Sequence, residues 1–151
     1  MRALVKFLRL PWRDRGLVVR AFLSSSLIRA GLVLMPLQSL RAAVHRSGRR
    51  PMNHGRRPET VKIAWAVAAA NRIWRGDCLP RALAAELMLR HYGYPAEFKI
   101  GAGRDPNGAF IAHAWVESEG RIVIGDFELG KYAELIHAAA PAASGSIADK
   151  I

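Results

Sequence analysis

Three residue types that together perform acyl transfer occur along this chain: Cys78, which is the only cysteine, then His113 and Asp126. A cysteine that attacks a carbonyl carbon needs a base to take its proton and a carboxylate that orients the base. A single cysteine on a helix is more often a small buried residue, so the interpretation depends on all three together. We therefore treat them as a candidate Cys-His-Asp catalytic triad.

The residues around Cys78 predict the start of a helix. Asp77 suits the N-cap position, and Pro80 is tolerated in a first turn but not in a helix interior. Unpaired backbone N–H groups and the positive end of the helix dipole would then favour the thiolate of Cys78. The backbone N–H of Cys78 is also a natural oxyanion donor, with Asn71 and Trp74 as candidates for a second donor.

A β-hairpin is predicted to bring the other two candidates together. Its strands are residues 110–117 and 121–126, joined by a turn at Glu119-Gly120. On the register of that tight turn His113 faces Asp126, and directly opposed Cβ atoms are about 4.5–5.5 Å apart. A slip of one residue would send the two side chains to opposite faces of the sheet.

The remaining pattern predicts an α+β fold, with helices first and a small antiparallel sheet after them. Helices are expected over 12–45 with a break near Pro36, over 59–74, over 78–92 and over 131–140, and a strand is expected around 98–102. We divide the chain into a basic helical region (1–46), a linker rich in Gly, Pro and Arg (47–58), a catalytic core (59–141) and a flexible tail (142–151).

The charge of the chain is concentrated in its first part. Residues 1–57 contain 13 Lys and Arg against one acidic residue, whereas residues 58–151 contain 10 against 11. Such a surface suits an anionic partner, although a solvated basic face is an equal alternative. The apolar stretch 17–40 is interrupted by Arg20 and Arg29, so we expect packed helices there and leave open a peripheral membrane contact.

Composition also limits the other classes of function. One cysteine excludes an internal disulfide framework and fits the reducing cytoplasm, which is the location we expect. The five histidines are scattered, so no metal site is predicted, and the absence of a Walker loop or a dinucleotide fingerprint predicts no cofactor.

With these residues in view, the chain resembles the lasso-peptide biosynthesis B2 proteins, which are leader peptidases of the transglutaminase-like, papain-related superfamily. The resemblance extends over most of the chain, and the cysteine followed by His-Ala-Trp-Val-Glu is its most specific part. The matching segments are 10–15 (LPWRDR), 63–67 (IAWAV), 78–83 (CLPRAL), 94–96 (YPA) with 100–101 (IG), 112–117 (AHAWVE) and Asp126.

The resemblance implies a papain/transglutaminase-like core in which Cys78 is the nucleophile, His113 the general base and acid, and Asp126 the orienting residue. It implies that the substrate is the leader region of a ribosomally made precursor peptide. The implied partners are a separate small leader-binding protein of the PqqD-like type and the ATP-dependent lasso cyclase. We expect no nucleic-acid partner.

Two alternatives to a cysteine peptidase remain open at this point. A transglutaminase-like acyl transferase would use the same triad with an amine in place of water. A non-enzymatic scaffold would bind an anionic partner through residues 1–57. The triad does not encode the acceptor, so the residues alone do not separate the peptidase from the acyl transferase.

Overall fold

The computed structural model describes residues 7–47, 57–74, 78–104, 107–125 and 132–137, and for 73, 104 and 132–137 it describes the backbone alone. The predicted tail, most of the predicted linker, Asp77 and Asp126 lie outside the described residues. Four long helices are followed by a sheet. The helices are α1 (Trp12–Leu34), α2 (Leu37–Ser47), α3 (Thr60–Ala70) and α4 (Cys78–His91), and the strands are β1 (Glu97–Arg104), β2 (Phe110–Ser118), β3 (Arg121–Ile124) and β4 (Tyr132–His137).

The predicted break between the first two helices is confirmed. Helix α1 ends at Leu34, Met35 has extended backbone dihedral angles, and α2 begins directly after Pro36. The residue before a proline is disfavoured in the helical region, and this explains the break.

Helix α4 is the centre of the hydrophobic core, because it packs on α1, α2, α3 and β2. Its residues Ala82, Leu83, Ala84 and Ala85 are completely buried. Three alanines allow the neighbouring helices to approach closely on several sides. Residues of α1 belong to the same buried cluster, so the first helix is part of the core on which the candidate site is built.

The sheet is antiparallel with strand order β3-β2-β1-β4, which confirms the α+β fold class. The helix predicted over residues 131–140 is wrong, since residues 132–137 form β4 and pair with β1. The Ala, Glu and Leu of this segment favour a helix locally, but pairing with the edge of β1 overrides that propensity. The fourth strand covers the side of β1 that β2 leaves open.

A buried ion pair holds the carboxyl half of α4 to the beginning of β1. Glu86 is 3% exposed, and one of its oxygens accepts a hydrogen bond from Arg90 Nε at 3.0 Å. Arg90 also donates to the carbonyl oxygen of Ala96, at the approach to β1. Burial raises the pKa of Glu86, although Arg90 and then Arg41 act in the opposite direction.

Helix α1 is the one described helix that is long and apolar enough to cross a membrane by length and composition. Its most apolar window is 28% buried within the fold. The buried stripe consists of Leu17, Ala21, Ser25, Ile28 and Gly31. Helices that pack in a protein core pass the same test, so this finding does not establish a membrane span.

Candidate active site

Cys78 is the first residue of α4, as the sequence predicts. Its side chain is partly buried and packs against the hydrophobic core. Pro80 stands in the first turn and is buried, at a position where a missing N–H group costs little. Cys78 is therefore only partly buried and lies at the positive end of a 14-residue helix.

Helix α1 contacts Trp74, which lies four residues before the candidate nucleophile. The ring of Trp74 stacks on Phe22 with a centroid separation of 5.2 Å, and the Arg29 guanidinium lies 4.7 Å from the Trp74 ring centre. Both partners belong to α1. The residue four positions before Cys78 is thus held between an aromatic ring and a cation.

Asn71 makes a second connection to α1, below Trp74. Its side-chain amide donates to Ser25 Oγ at 2.8 Å and to the Val67 carbonyl oxygen at 2.9 Å. Asn71 and Ser25 are both buried. Because an amide has two N–H groups and both are used here, Asn71 loses its candidacy as an oxyanion donor.

His113 lies on β2, and the carbonyl oxygen of Gly125 fixes the orientation of its imidazole. The distance from His113 Nε2 to this oxygen is 2.9 Å. A carbonyl oxygen only accepts, so Nε2 carries the proton. In the neutral ring the basic lone pair is then on Nδ1. The backbone at Gly125 therefore selects the tautomer of the candidate base.

Gly125 reaches His113 because it has no side chain. A Cβ atom there would lie 2.5 Å from the Trp115 Cβ and 2.8 Å from the Trp115 Cα, and its φ is +99°. Both the close approach and the dihedral angle require glycine. Sequence reasoning missed this residue, although a glycine between the strand and Asp126 was a visible signal of close backbone approach.

The predicted register of the hairpin holds only next to the turn. Ser118 pairs with Arg121 and Glu117 with Ile122, as predicted, but the next pair is Val116 with Ile124. An irregularity at this point leaves Val123 as an extra residue, so the pairing assumed between His113 and Asp126 does not follow from a regular ladder. Asp126 itself lies outside the described residues, and its role stays a prediction.

The side chains that share the face of His113 form a linked set. Trp115 Nε1 donates to Glu117 Oε1 at 2.9 Å, and Glu117 Oε2 lies 3.2 Å from Lys99 Nζ. Trp115 is 5% exposed. The cross-strand neighbour of His113 is Gly101, which leaves space above the sheet for the imidazole. This set rigidifies β2 directly after His113.

Strand alternation separates this face from the face that packs on the helices. Ala114 and Val116 belong to the buried cluster shared with α4, whereas His113 and Trp115 alternate with them. At the beginning of β2 the strand extends past this packing, since Phe110 is 70% exposed. By this alternation, His113 lies on the face of β2 opposite the one that packs on α4.

Comparison with known protein families identifies most of the chain. The family described as the transglutaminase-like superfamily matches residues 22–137, well over half of the chain, and the match includes Cys78, His113 and Asp126. The chain belongs to the transglutaminase-like superfamily. This superfamily includes cysteine peptidases and acyltransferases. No curated protein and no solved structure matches the chain.

Two cavities of this transglutaminase-like domain lie away from Cys78. One of about 730 Å³ lies near Tyr92, beyond the opposite end of α4, and one of about 450 Å³ lies between α3 and the β2–β3 hairpin. Among the described residues no group of three His, Cys, Asp or Glu side chains is arranged to hold a metal ion.

Proposed function

We propose that this protein is a cysteine peptidase that removes the leader from a ribosomally synthesised precursor peptide through an acyl-enzyme on Cys78. The observation that supports it most is the imidazole of His113, fixed through Nε2 on the strand that packs against the helix beginning at Cys78. Membership of a superfamily that includes cysteine peptidases agrees with this chemistry.

The chain topology supports an encounter between the two groups. Only five residues separate α4 from β1, so β1 starts near the carboxyl end of the helix, where Arg90 bonds Ala96. Strand β1 contacts α4, and His113 pairs with Gly101, which lies in the second half of β1. The sheet that carries His113 thus packs on the helix that begins at Cys78.

The proposed reaction uses Nδ1 of His113 as the base. This nitrogen takes the thiol proton, and the sulfur of Cys78 attacks the scissile carbonyl carbon to give a tetrahedral oxyanion. The N–H of Cys78 donates to that oxyanion. As the C–N bond breaks, the imidazolium protonates the leaving amine. Water then attacks the thioester, releases the acid and restores the thiol.

Asp126 is proposed to orient the charged imidazole, because it directly follows the residue whose carbonyl oxygen binds Nε2. The proposed substrate is the precursor leader, presented by a separate small leader-binding protein in the cytoplasm. The ATP-dependent cyclase is proposed to act on the released core peptide. These assignments come from the resemblance of the motif segments.

Mass spectrometry of a reaction with precursor peptide and leader-binding protein tests the proposal. A peptidase gives two fragments whose summed mass exceeds that of the precursor by one water molecule. If an amine is supplied in the reaction, an acyl transferase gives a fragment joined to that amine. A scaffold leaves the precursor intact. The Cys78→Ala protein is the matched control, and fragments formed equally by both proteins would contradict the proposal.

A further inference from the structure

We propose that the cleft beyond the carboxyl end of α4 is a binding site for an acidic, extended segment of a peptide. It lies between the beginning of α1, the approach to α3 and Tyr92. Its volume of about 730 Å³ falls within the usual range for ligand sites. Identifying the occupant as part of the peptide substrate depends on the proposed function, whereas the acidic character of the occupant follows from the cleft itself.

Two arginines of the cleft are held in place by neutral groups. Arg20 Nη1 donates to the Tyr92 hydroxyl at 2.9 Å, and Arg57 Nε donates to the Tyr92 carbonyl oxygen. Arg57 also lies over the ring of Tyr94, 3.9 Å from its centre. Each guanidinium has five N–H groups, so further donors remain for a ligand. Because the side chains are already ordered, binding costs less conformational entropy.

The charges that line the cleft favour a ligand whose carboxylates are spaced apart along its chain. Four cationic residues line it, and Lys62 is paired with Asp14 at 3.7 Å. Glu59 supplies a second acidic group, so the cleft has mixed charge with a cationic excess. A continuous phosphate chain would be repelled by the two carboxylates, whereas a peptide with spaced acidic residues can avoid them.

An exposed aromatic side chain, that of Trp12, completes the site. Trp12 is 74% exposed at the cleft, and the Arg13 guanidinium lies 5.4 Å from its ring centre. An exposed tryptophan beside arginines is typical of the anchor positions at protein interfaces. A peptide that alternates acidic and apolar residues would satisfy both kinds of group.

The cleft and the candidate nucleophile lie at opposite ends of α4. Tyr92 directly follows α4, and Cys78 is its first residue. A helix of 14 residues is about 21 Å long, so an extended peptide needs about six or seven residues to span it. The cleft would hold a substrate segment at that separation from the scissile bond.

Binding is measured on full-length Cys78→Ala protein, which keeps the test independent of turnover. The probes are two fluorescein-labelled synthetic decapeptides that alternate leucine with either glutamate or glutamine, together with a single-stranded oligonucleotide of the same charge as the glutamate peptide. Fluorescence anisotropy gives each Kd at physiological ionic strength. We expect the glutamate peptide to bind at least about 10-fold more tightly than the glutamine peptide and the oligonucleotide.

Charge-matched variants locate the binding. The double substitution R20Q/R57Q should weaken binding of the glutamate peptide by about 10-fold or more. The double substitution R46Q/R121Q removes the same charge from exposed positions outside the cleft and should change Kd by less than about 2-fold. Tyr92→Phe keeps the ring but removes the hydroxyl that holds Arg20, so an intermediate loss is expected even if the double variant is less stable.

Equal losses in the two double variants would overturn the proposal, because they would show attraction to net charge alone. Equal binding of the two peptides, or tighter binding of the oligonucleotide, would also overturn it. If the cleft no longer binds the peptide but Cys78-dependent cleavage of the precursor continues, this inference alone is contradicted. Peptide binding at the cleft without cleavage by the wild type would instead contradict the proposed function.

Discussion

Replacing Cys78 by alanine is expected to lower the rate of peptide cleavage by at least about 1,000-fold while the protein stays folded. The substitution removes the sulfur that we propose forms the acyl-enzyme, and it leaves no other thiol in the chain. Because Cys78 is only partly buried, we expect the free energy of unfolding to fall by about 1 kcal/mol or less.

Two measurements on the same preparation check this expectation. Single-turnover cleavage of the precursor gives the rate, and urea unfolding followed by circular dichroism gives the stability. Cleavage at the wild-type rate by folded Cys78→Ala protein would exclude this residue as the nucleophile.

Replacing Gly125 by alanine is expected to have the largest effect on stability of any change near the site. The added Cβ would meet the backbone and Cβ of Trp115, and alanine is strained at a φ of +99°. Strain and overpacking together should cost about 2–5 kcal/mol. Movement of the Gly125 carbonyl would also release His113 Nε2, so cleavage should fall by more than the loss of folded protein explains.

Gly120→Ala is the matched control for this substitution. Gly120 also has a positive φ, +73°, but a Cβ there meets no atom within 4 Å. Only backbone strain remains, which should cost about 1–2 kcal/mol. Unfolding curves of the two variants are compared, and the NMR shifts of the His113 ring nitrogens report its tautomer. Equal stability losses with an unchanged tautomer would contradict the role assigned to Gly125.

Local signals were sufficient to place the candidate nucleophile and the hairpin turn. Pro80 permits only a first-turn position, and α4 does begin at Cys78. Glu119 and Gly120 both have positive φ, as a two-residue hairpin turn between antiparallel strands requires. In both cases the chemistry of neighbouring residues decides the structure, so no distant contact is needed.

Features that depend on distant contacts were not predictable in the same way. The run Ile122, Val123 and Ile124 has no polar alternation, so nothing in it indicates which residue leaves the ladder. Residues 132–137 favour a helix by composition and become a strand because β1 offers an unpaired edge. Gly125 acts through a carbonyl group, which sequence patterns of side chains do not reveal.

The rate at which iodoacetamide alkylates Cys78 is the most direct test of the central claim, that the imidazole of His113 activates this thiol. Since Cys78 is the only cysteine, a mass increase of the whole protein reports its modification alone. The measurement needs no knowledge of the substrate or partners. It compares the wild type with His113→Ala and with His91→Ala, which removes a histidine at the opposite end of α4.

At pH 7 the wild type and His91→Ala should react at the same rate, and His113→Ala at least about 10-fold more slowly, because the base that draws the thiol proton is gone. Circular dichroism establishes that all three proteins are folded. Equal alkylation rates in folded wild-type and His113→Ala proteins would show that the two side chains do not act together, and the proposed mechanism would be wrong.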